Sequence, residues 1–253
     1  MKYTDITYNG ERYRGVHFTT YRSWCTEYRW NYTCQYENGY NPDTVYWFRY
    51  EPIEWRVLDA DEGYLMCENI IDNQAYYDVI YYDSVTKEYY KDSSFTSYAN
   101  DFESSTIRDW LNDDFYQTAF NDDEQALIQI SNNDKISLLS YDDAKNSEYG
   151  FSSDPQEEDS SRVAQGTDYA KCQGLSYQQD ASDPFYGDCC GNSEWWLSSS
   201  SGNSMADIGR LDGGVNSWSR VNLLKGIRPV LKLNPKSEIP NPDTEEDKYI
   251  GIV

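Results

Sequence analysis

Hydrophobic positions along the chain fall into short runs separated by long polar stretches. Val45-Tyr-Trp-Phe-Arg-Tyr50 and Ile53-Glu-Trp-Arg-Val57 are divided by Glu51-Pro52. In the second run Ile53, Trp55 and Val57 alternate with Glu54 and Arg56, the two-residue period of a half-buried strand. Opposite charges on the outer face fit an antiparallel neighbour. Asp61-Glu-Gly63 turns the chain, and Tyr64–Ile70 returns as the partner. Lys135–Leu139 reads as a short strand. Trp195-Trp-Leu197 and Gly226–Leu231 predict two core strands holding a large Gly/Ser/Asn-rich surface loop over 199–225. Alternation assigns Trp195 and Leu197 to the core, and Trp196 to the face that Ser198 takes.

The period changes after residue 103. Ser104 or Ser105 can cap a helix whose Ile107, Trp110, Leu111 and Phe115 share one face. Asn121 and Glu124 have capping-box spacing for a second helix, with Leu127 and Ile128 turned inward. Ser140-Tyr-Asp-Asp143 opens a short helix, and a third runs from Thr167 to Gln173 and stops at Gly174. Residues 72–102 read as a long loop with a short hairpin, and 146–161 as a solvated acidic loop. Asn9-Gly10 and Asn38-Gly39 mark tight turns, and Tyr13–Phe18 an edge strand. The expected division is an N-terminal extension, 1–44, packed on a main domain, 45–234. A Pro-rich acidic linker or tail, 235–253, follows. The fold class is α+β: a twisted antiparallel sheet with flanking helices and long irregular loops.

Composition narrows the function. Hydrophobic content is low at 38%, but 25 tyrosines and an aromatic share of 16% supply apolar area with a polar handle. A disordered chain lacks such aromatics. The net charge of -23 argues against nucleic acid and against anionic membrane surfaces. No run approaches the roughly 18 apolar residues of a membrane-spanning helix. The first residues lack the apolar core of a secretion signal, so either the protein is cytoplasmic or, as an extracellular placement implies, this is a mature or partial chain. A single histidine, His17, rules out a multi-histidine metal site. Six cysteines allow a Cys25–Cys34 bridge and one from Cys172 to Cys189 or Cys190, against an alternative of reduced, buried thiols. Asp101, Glu103, Asp109 and Asp114 read as a solvated acidic face. No cofactor is expected. Calcium is the one ion considered, with oxygens from Asp207, Asp212, Asn216 and Asn222.

Several segments resemble one family: Tyr46–Leu58, Ser105–Asn112 with Phe115-Tyr116, Asp134–Ser140, Thr167–Ala170, and Trp195-Trp-Leu-Ser-Ser with Gly226-Ile-Arg-Pro-Val-Leu231. Together they look like an uncharacterised bacterial domain common in predicted surface and secreted proteins of anaerobic Gram-positive bacteria. More distantly the chain is similar to C-type-lectin-like folds, including the formylglycine-generating-enzyme group. That resemblance implies paired terminal strands, with 227–233 returning beside 45–58, and a long irregular region presenting ligands. One departure is Ser198, where the family usually carries Arg. The calcium-binding triplets of sugar-binding lectins are absent. Cys189-Cys190 is comparable with the oxidase group's redox or copper pair, yet Asp188 and Glu194 disfavour a thiolate. The expected function is a non-catalytic, extracellular or surface-displayed binding module for a glycan or protein. Its candidate site residues are Trp218, Arg210, Arg220, Asn216, Asp212 and Trp196. The alternatives are an oxidase-like or hydrolytic enzyme and a structural spacer.

Overall fold

The structure, a computed structural model, describes residues 1–23, 34–78, 80–184 and 187–234. Strands outweigh helices, in an α+β arrangement. The first hairpin joins β1 (Lys2–Tyr8) to β2 (Glu11–His17) through Asn9-Gly10, both at positive φ (52° and 86°). That pair of angles gives a two-residue loop matching strand twist. β3 (Val45–Arg49) completes a three-stranded antiparallel sheet in the order β1-β2-β3. The second strand, expected at an edge, is therefore central, and a boundary at 44/45 would cut through this sheet.

A second sheet contains β4 (Trp55–Asp59), β5 (Tyr64–Cys67), β10 (Ile136–Leu138) and β15 (Pro229–Leu233), in the order β10-β15-β5-β4. The two-residue strand β9 (Ile128–Gln129) adds to β15. The last strand thus pairs with Tyr64–Cys67 rather than with 45–58. Burial explains the difference. All four β5 residues are buried and demand a neighbour on each side, whereas Val57 of β4 is 58% exposed, as suits an edge.

The third sheet contains β6 (Asp72–Ala75), β11 (Trp195–Ser201), β12 (Met205–Gly209), β13 (Ser217–Arg220) and β14 (Leu224–Ile227), in the order β13-β12-β11-β14-β6. A short hairpin, β7 (Tyr81–Asp83) with β8 (Glu88–Tyr90), lies within the 72–102 stretch. The 199–225 segment is thus a set of strands and not a free loop. Its small and polar residues are its packing surface: Ser204, Ala206, Ile208, Ser219, Val221 and Asn222 are all buried.

The helices follow their caps. Short α1 (Cys34–Glu37) precedes the longest helical run. Ser105 Oγ accepts from Arg108 N to start α2 (Thr106–Trp110), which passes through a π-helical turn at Leu111–Phe115 into α3 (Tyr116–Ala119). Ile107, Leu111 and Phe115 are buried, as their spacing requires. α4 (Asp122–Leu127) carries the full capping box. α5 (Asp168–Cys172) is capped by Thr167.

Strand β11 lies between two hydrophobic clusters. Trp196 packs with Ile107, Leu111, Ile208 and Ile227, while Trp195 and Leu197 pack with Met66, Val215 and Val230. Both indoles are fully buried. Trp195 Nε1 donates to the Arg162 carbonyl (3.2 Å) and Trp196 Nε1 to the Gln74 carbonyl (2.9 Å). Trp196 is therefore a core residue and cannot meet a ligand. A strand covered on both faces leaves no exposed side for alternation to assign.

The acidic 146–161 stretch is also not simply solvated. It folds around Arg162, whose guanidinium donates to the carbonyls of Ala144, Ser152, Asp154 and Glu157. Asp159 completes the set as its ion-pair partner at 3.2 Å. Gly213, at φ +85°, lets this loop close on the 210–216 turn; a Cβ there would lie 2.0 Å from the Asp159 carbonyl oxygen. Arg228, equally buried, donates to the Cys67 and Arg162 carbonyls.

A third cluster attaches the N-terminal sheet. Val16, Phe18, Tyr46 and Phe48 on its inner face pack against Cys172 and Tyr169 of α5. Cys172 is thus enclosed, and Cys189 and Cys190 lie at the surface. No disulfide joins the described cysteines: Cys34, Cys67, Cys172, Cys189 and Cys190 are free thiols, which corrects the expected bridge from Cys172. Cys34 is free as well, and Cys25 lies outside the described residues, as does the 235–253 tail.

Candidate ligand-binding cleft

The residues expected to bind ligand separate into two groups. Trp218 and Arg220 stand two apart on edge strand β13 and point outward, Trp218 at 56% exposure. Asp207 lies opposite Trp218 on β12, and Arg220 reaches over the Tyr89 ring at 5.9 Å. This surface lies at a sheet edge. Arg210, Asp212 and Asn216 form something else. The Arg210 guanidinium binds Asp212 and donates to Asn216 Oδ1 (3.1 Å), and Asp212 Oδ1 accepts from Gly214 N (3.0 Å). They lock the turn that receives the 155–159 loop, through Val215 N to the Pro155 carbonyl. Of the oxygens considered for calcium, Asp212 and Asn216 are tied to Arg210, Asp207 lies on β12, and Asn222 is buried against Tyr89. Among the described residues no group of three or more His, Cys, Asp or Glu is placed to hold a metal. Ser198, at the departure from the family pattern, is fixed by its backbone to Leu139 and Tyr76.

A concavity lies elsewhere. A cleft of about 1000 Å³ separates the N-terminal sheet from the rest of the chain. One wall is β3 with the segment that follows it, Trp47 to Glu54. The opposite wall is Ile71, Asp72 and Gln74 with the start of α5, Thr167 to Tyr169. Trp110, Asp114, Phe115, Thr118 and Ala119 of the helical run close the third side. Phe48, Tyr50, Trp110 and Phe115 contribute rings, the last two stacked at 5.4 Å.

The cleft is acidic. Its lining carries Glu51, Glu54, Asp72, Asp114 and Asp168 against Arg14 and Arg49. Both arginines are committed. Arg14 makes a two-pronged bond to Asp5 (2.8 and 2.9 Å), and Arg49 pairs with Glu51 at 2.7 Å. The Arg14 bond holds the Asp5 carboxyl below its ordinary range and the guanidinium above its own. Among the described residues Glu54 and Asp114, both exposed, have no cationic partner.

Asp72 is the deep group. Burial raises its pKa, although Asn73 N and Gln74 Nε2 donate to its two oxygens at 2.7 and 3.1 Å. Arg22 is near enough to counter that rise in part. Its guanidinium is anchored on the Asn73 carbonyl at 2.6 Å and the Gln173 carbonyl at 3.2 Å. Tyr3, donating to Gln173 Oε1 at 3.0 Å, is pushed up to about 12 by burial and then by the Asp72 charge. Burial also pushes the Cys67 thiol, on the cleft lining, up to about 12, so it stays protonated at neutral pH.

The pattern of residues 45–50 contained the missing signal. Tyr46, Trp47 and Phe48 put rings on both faces of one short strand, which a simple outer edge does not need. Asp114, read as part of a solvated face, borders the cleft because the π-helical turn carries it there.

Comparison with known proteins gives one match. Residues 64–235 match the family described as Domain of unknown function (DUF6273). No curated protein and no solved structure matches the chain. The match begins after β3 and β4, takes in the whole third sheet and every strand of the second except β4, and covers more than half of the sequence, so this chain belongs to the DUF6273 family.

Proposed function

We propose that the chain is a non-catalytic ligand-binding module of a secreted or surface-displayed bacterial protein, and that the cleft beside β3 is where its ligand sits. The supporting observation is the cleft itself: about 1000 Å³, walled by aromatic rings, with uncommitted carboxylates at its mouth. Ligand sites are concave, mostly apolar and supplied with a few convergent polar groups. The outward pair Trp218 and Arg220 does not line this cleft. A C-type-lectin-like reading of the fold draws support from β15, a terminal strand held between β5 and β10, and from the sequence resemblance. The ligand class carried by that reading is a glycan or a protein.

The test is a glycan array and an extracellular-protein array probed with the wild type, Thr118→Trp and Trp218→Ala. Thr118 is half-buried on the cleft lining, so an indole there fills the space. Ligands that bind the wild type and Trp218→Ala but not Thr118→Trp support the reading. Ligands indifferent to Thr118→Trp move the site elsewhere, and an array without ligands counts against a binding module.

A hydrolytic reading has one supporting observation, the raised carboxyl of Asp72 on the cleft wall. Turnover of aryl glycosides or esters that disappears in Asp72→Asn would favour it. A thiol mechanism has less, since Cys189 and Cys190 do not line the cleft and Cys67 is held protonated.

A further inference from the structure

We infer that the cleft binds an extended, basic peptide segment, which adds to the N-terminal sheet as a fourth strand along the open edge of β3. This rests on the cleft being the ligand site and names what the site takes.

The backbone supplies the first observation. In the sheet order β1-β2-β3, the last strand is hydrogen-bonded on one side only. Tyr50 N donates to the Arg12 carbonyl at 2.9 Å, and Tyr50 stands opposite Arg12 in the β2–β3 register. In an antiparallel pair, directly bonded residues alternate with residues whose N–H and C=O face away. Phe48 and Tyr46 therefore bond to β2, and Trp47 and Arg49 turn their main-chain groups outward. Both of these residues line the cleft. The Trp47 side chain does not obstruct that edge: its indole lies across Gly15 on the outer face of the sheet, where a Cβ on Gly15 would come within 2.8 Å of it. An unpaired edge bordering a groove is the geometry that captures extended peptides through main-chain bonds, with pockets reading alternate side chains.

Charge supplies the second observation and selects the occupant. Glu54 and Asp114 face the groove without a cationic partner among the described residues, and the lining is acidic as a whole. A strand laid along Trp47 and Arg49 directs alternate side chains to the same side. Lys or Arg there meets Glu54 and Asp114, and the residues between them point to the other face of the sheet, beside the Trp47 indole. The two cationic groups already lining the groove do not oppose this, because Arg14 and Arg49 are neutralised by Asp5 and Glu51.

The experiment uses the full chain and a library of nonapeptides in which Lys or Arg alternates with Val, Thr or Tyr, read by fluorescence anisotropy. The matching library with Glu for Lys and Arg is the charge control. Selected peptides are then N-methylated at every second amide, once in each register. Strand addition predicts that one register of methylation weakens binding about five- to tenfold per blocked bond and that the other leaves it unchanged. It also predicts weaker binding at higher salt and none by the Glu library. Arg49→Pro, which removes an outward N–H while sparing the β2 ladder, binds more weakly than Arg49→Ala, which keeps it. Peptide binding that Thr118→Trp abolishes but that neither methylation register alters overturns strand addition and leaves the cleft reading intact. A glycan that binds and is lost in Thr118→Trp, with no peptide bound, does the same. Binding of any ligand that ignores Thr118→Trp overturns both.

Discussion

Arg162 shows how far one residue can organise a stretch that reads as loop. Its guanidinium satisfies four backbone carbonyls and faces Asp159, all without solvent exposure of the arginine. Arg162→Ala is expected to destabilise the chain by about 3–5 kcal/mol, the cost of leaving a buried charge and its acceptors unpaired. Limited proteolysis should then cut within 150–161, where the wild type resists. Nothing in the acidic composition of 146–161 marks this arginine, because the acceptors are main-chain carbonyls, which every sequence has. Asp72 gives a pH-dependent prediction. Its folded pKa is raised, so the folded state holds the proton more tightly than the unfolded state. Stability from this group is therefore full at low pH and falls as pH rises from the ordinary aspartate value, about 3.9, through the raised one. Asp72→Asn should gain stability relative to the wild type over that window in denaturant titrations. A constant difference across pH would show that the carboxyl is not buried as described.

At the scale of elements, the local signals were the legible ones. The caps at Ser105 and Asn121, the short helix that follows Thr167, and the face shared by Ile107, Leu111 and Phe115 are all as the sequence predicts. Asn121→Ala should cost about 1 kcal/mol of stability, measured by thermal or chemical unfolding. What the sequence hid were strands that lack alternation. β11 is covered on both sides, so Trp195 and Trp196 are equally buried, and β12 and β13 bury Ala206 and Ser219 beside a single branched apolar residue, Ile208. A polar run packed tightly against a sheet looks the same in sequence as a polar run in water. The cleft was illegible for a related reason. Its walls lie far apart along the chain, and the openness of the β3 edge depends on which strands pair, not on which residues β3 contains.

At the scale of the whole molecule, the three clusters make the N-terminal sheet part of the body, through Val16 and Phe18 on Cys172. The cysteines report on this. In the native state Cys189 and Cys190 should react with an alkylating reagent first, and Cys34, Cys67 and Cys172 only on unfolding, because these three are buried and burial raises their pKa values. Val16→Ala should speed labelling of Cys172 and leave Cys67 unchanged, as read by peptide mapping. Equal acceleration at both would mean that the sheet and the body do not open separately. The chain has no described helix long and apolar enough to cross a membrane.

The family match starts at residue 64, yet β3 and Glu54 come before it. The cleft is thus built by two stretches, one belonging to the shared scaffold and one preceding it. If the cleft holds the ligand as proposed, a chimera with a different hairpin and edge strand ahead of residue 64 is expected to bind a different ligand on the same arrays, while the two buried tryptophans and the arginine-centred loop stay in place.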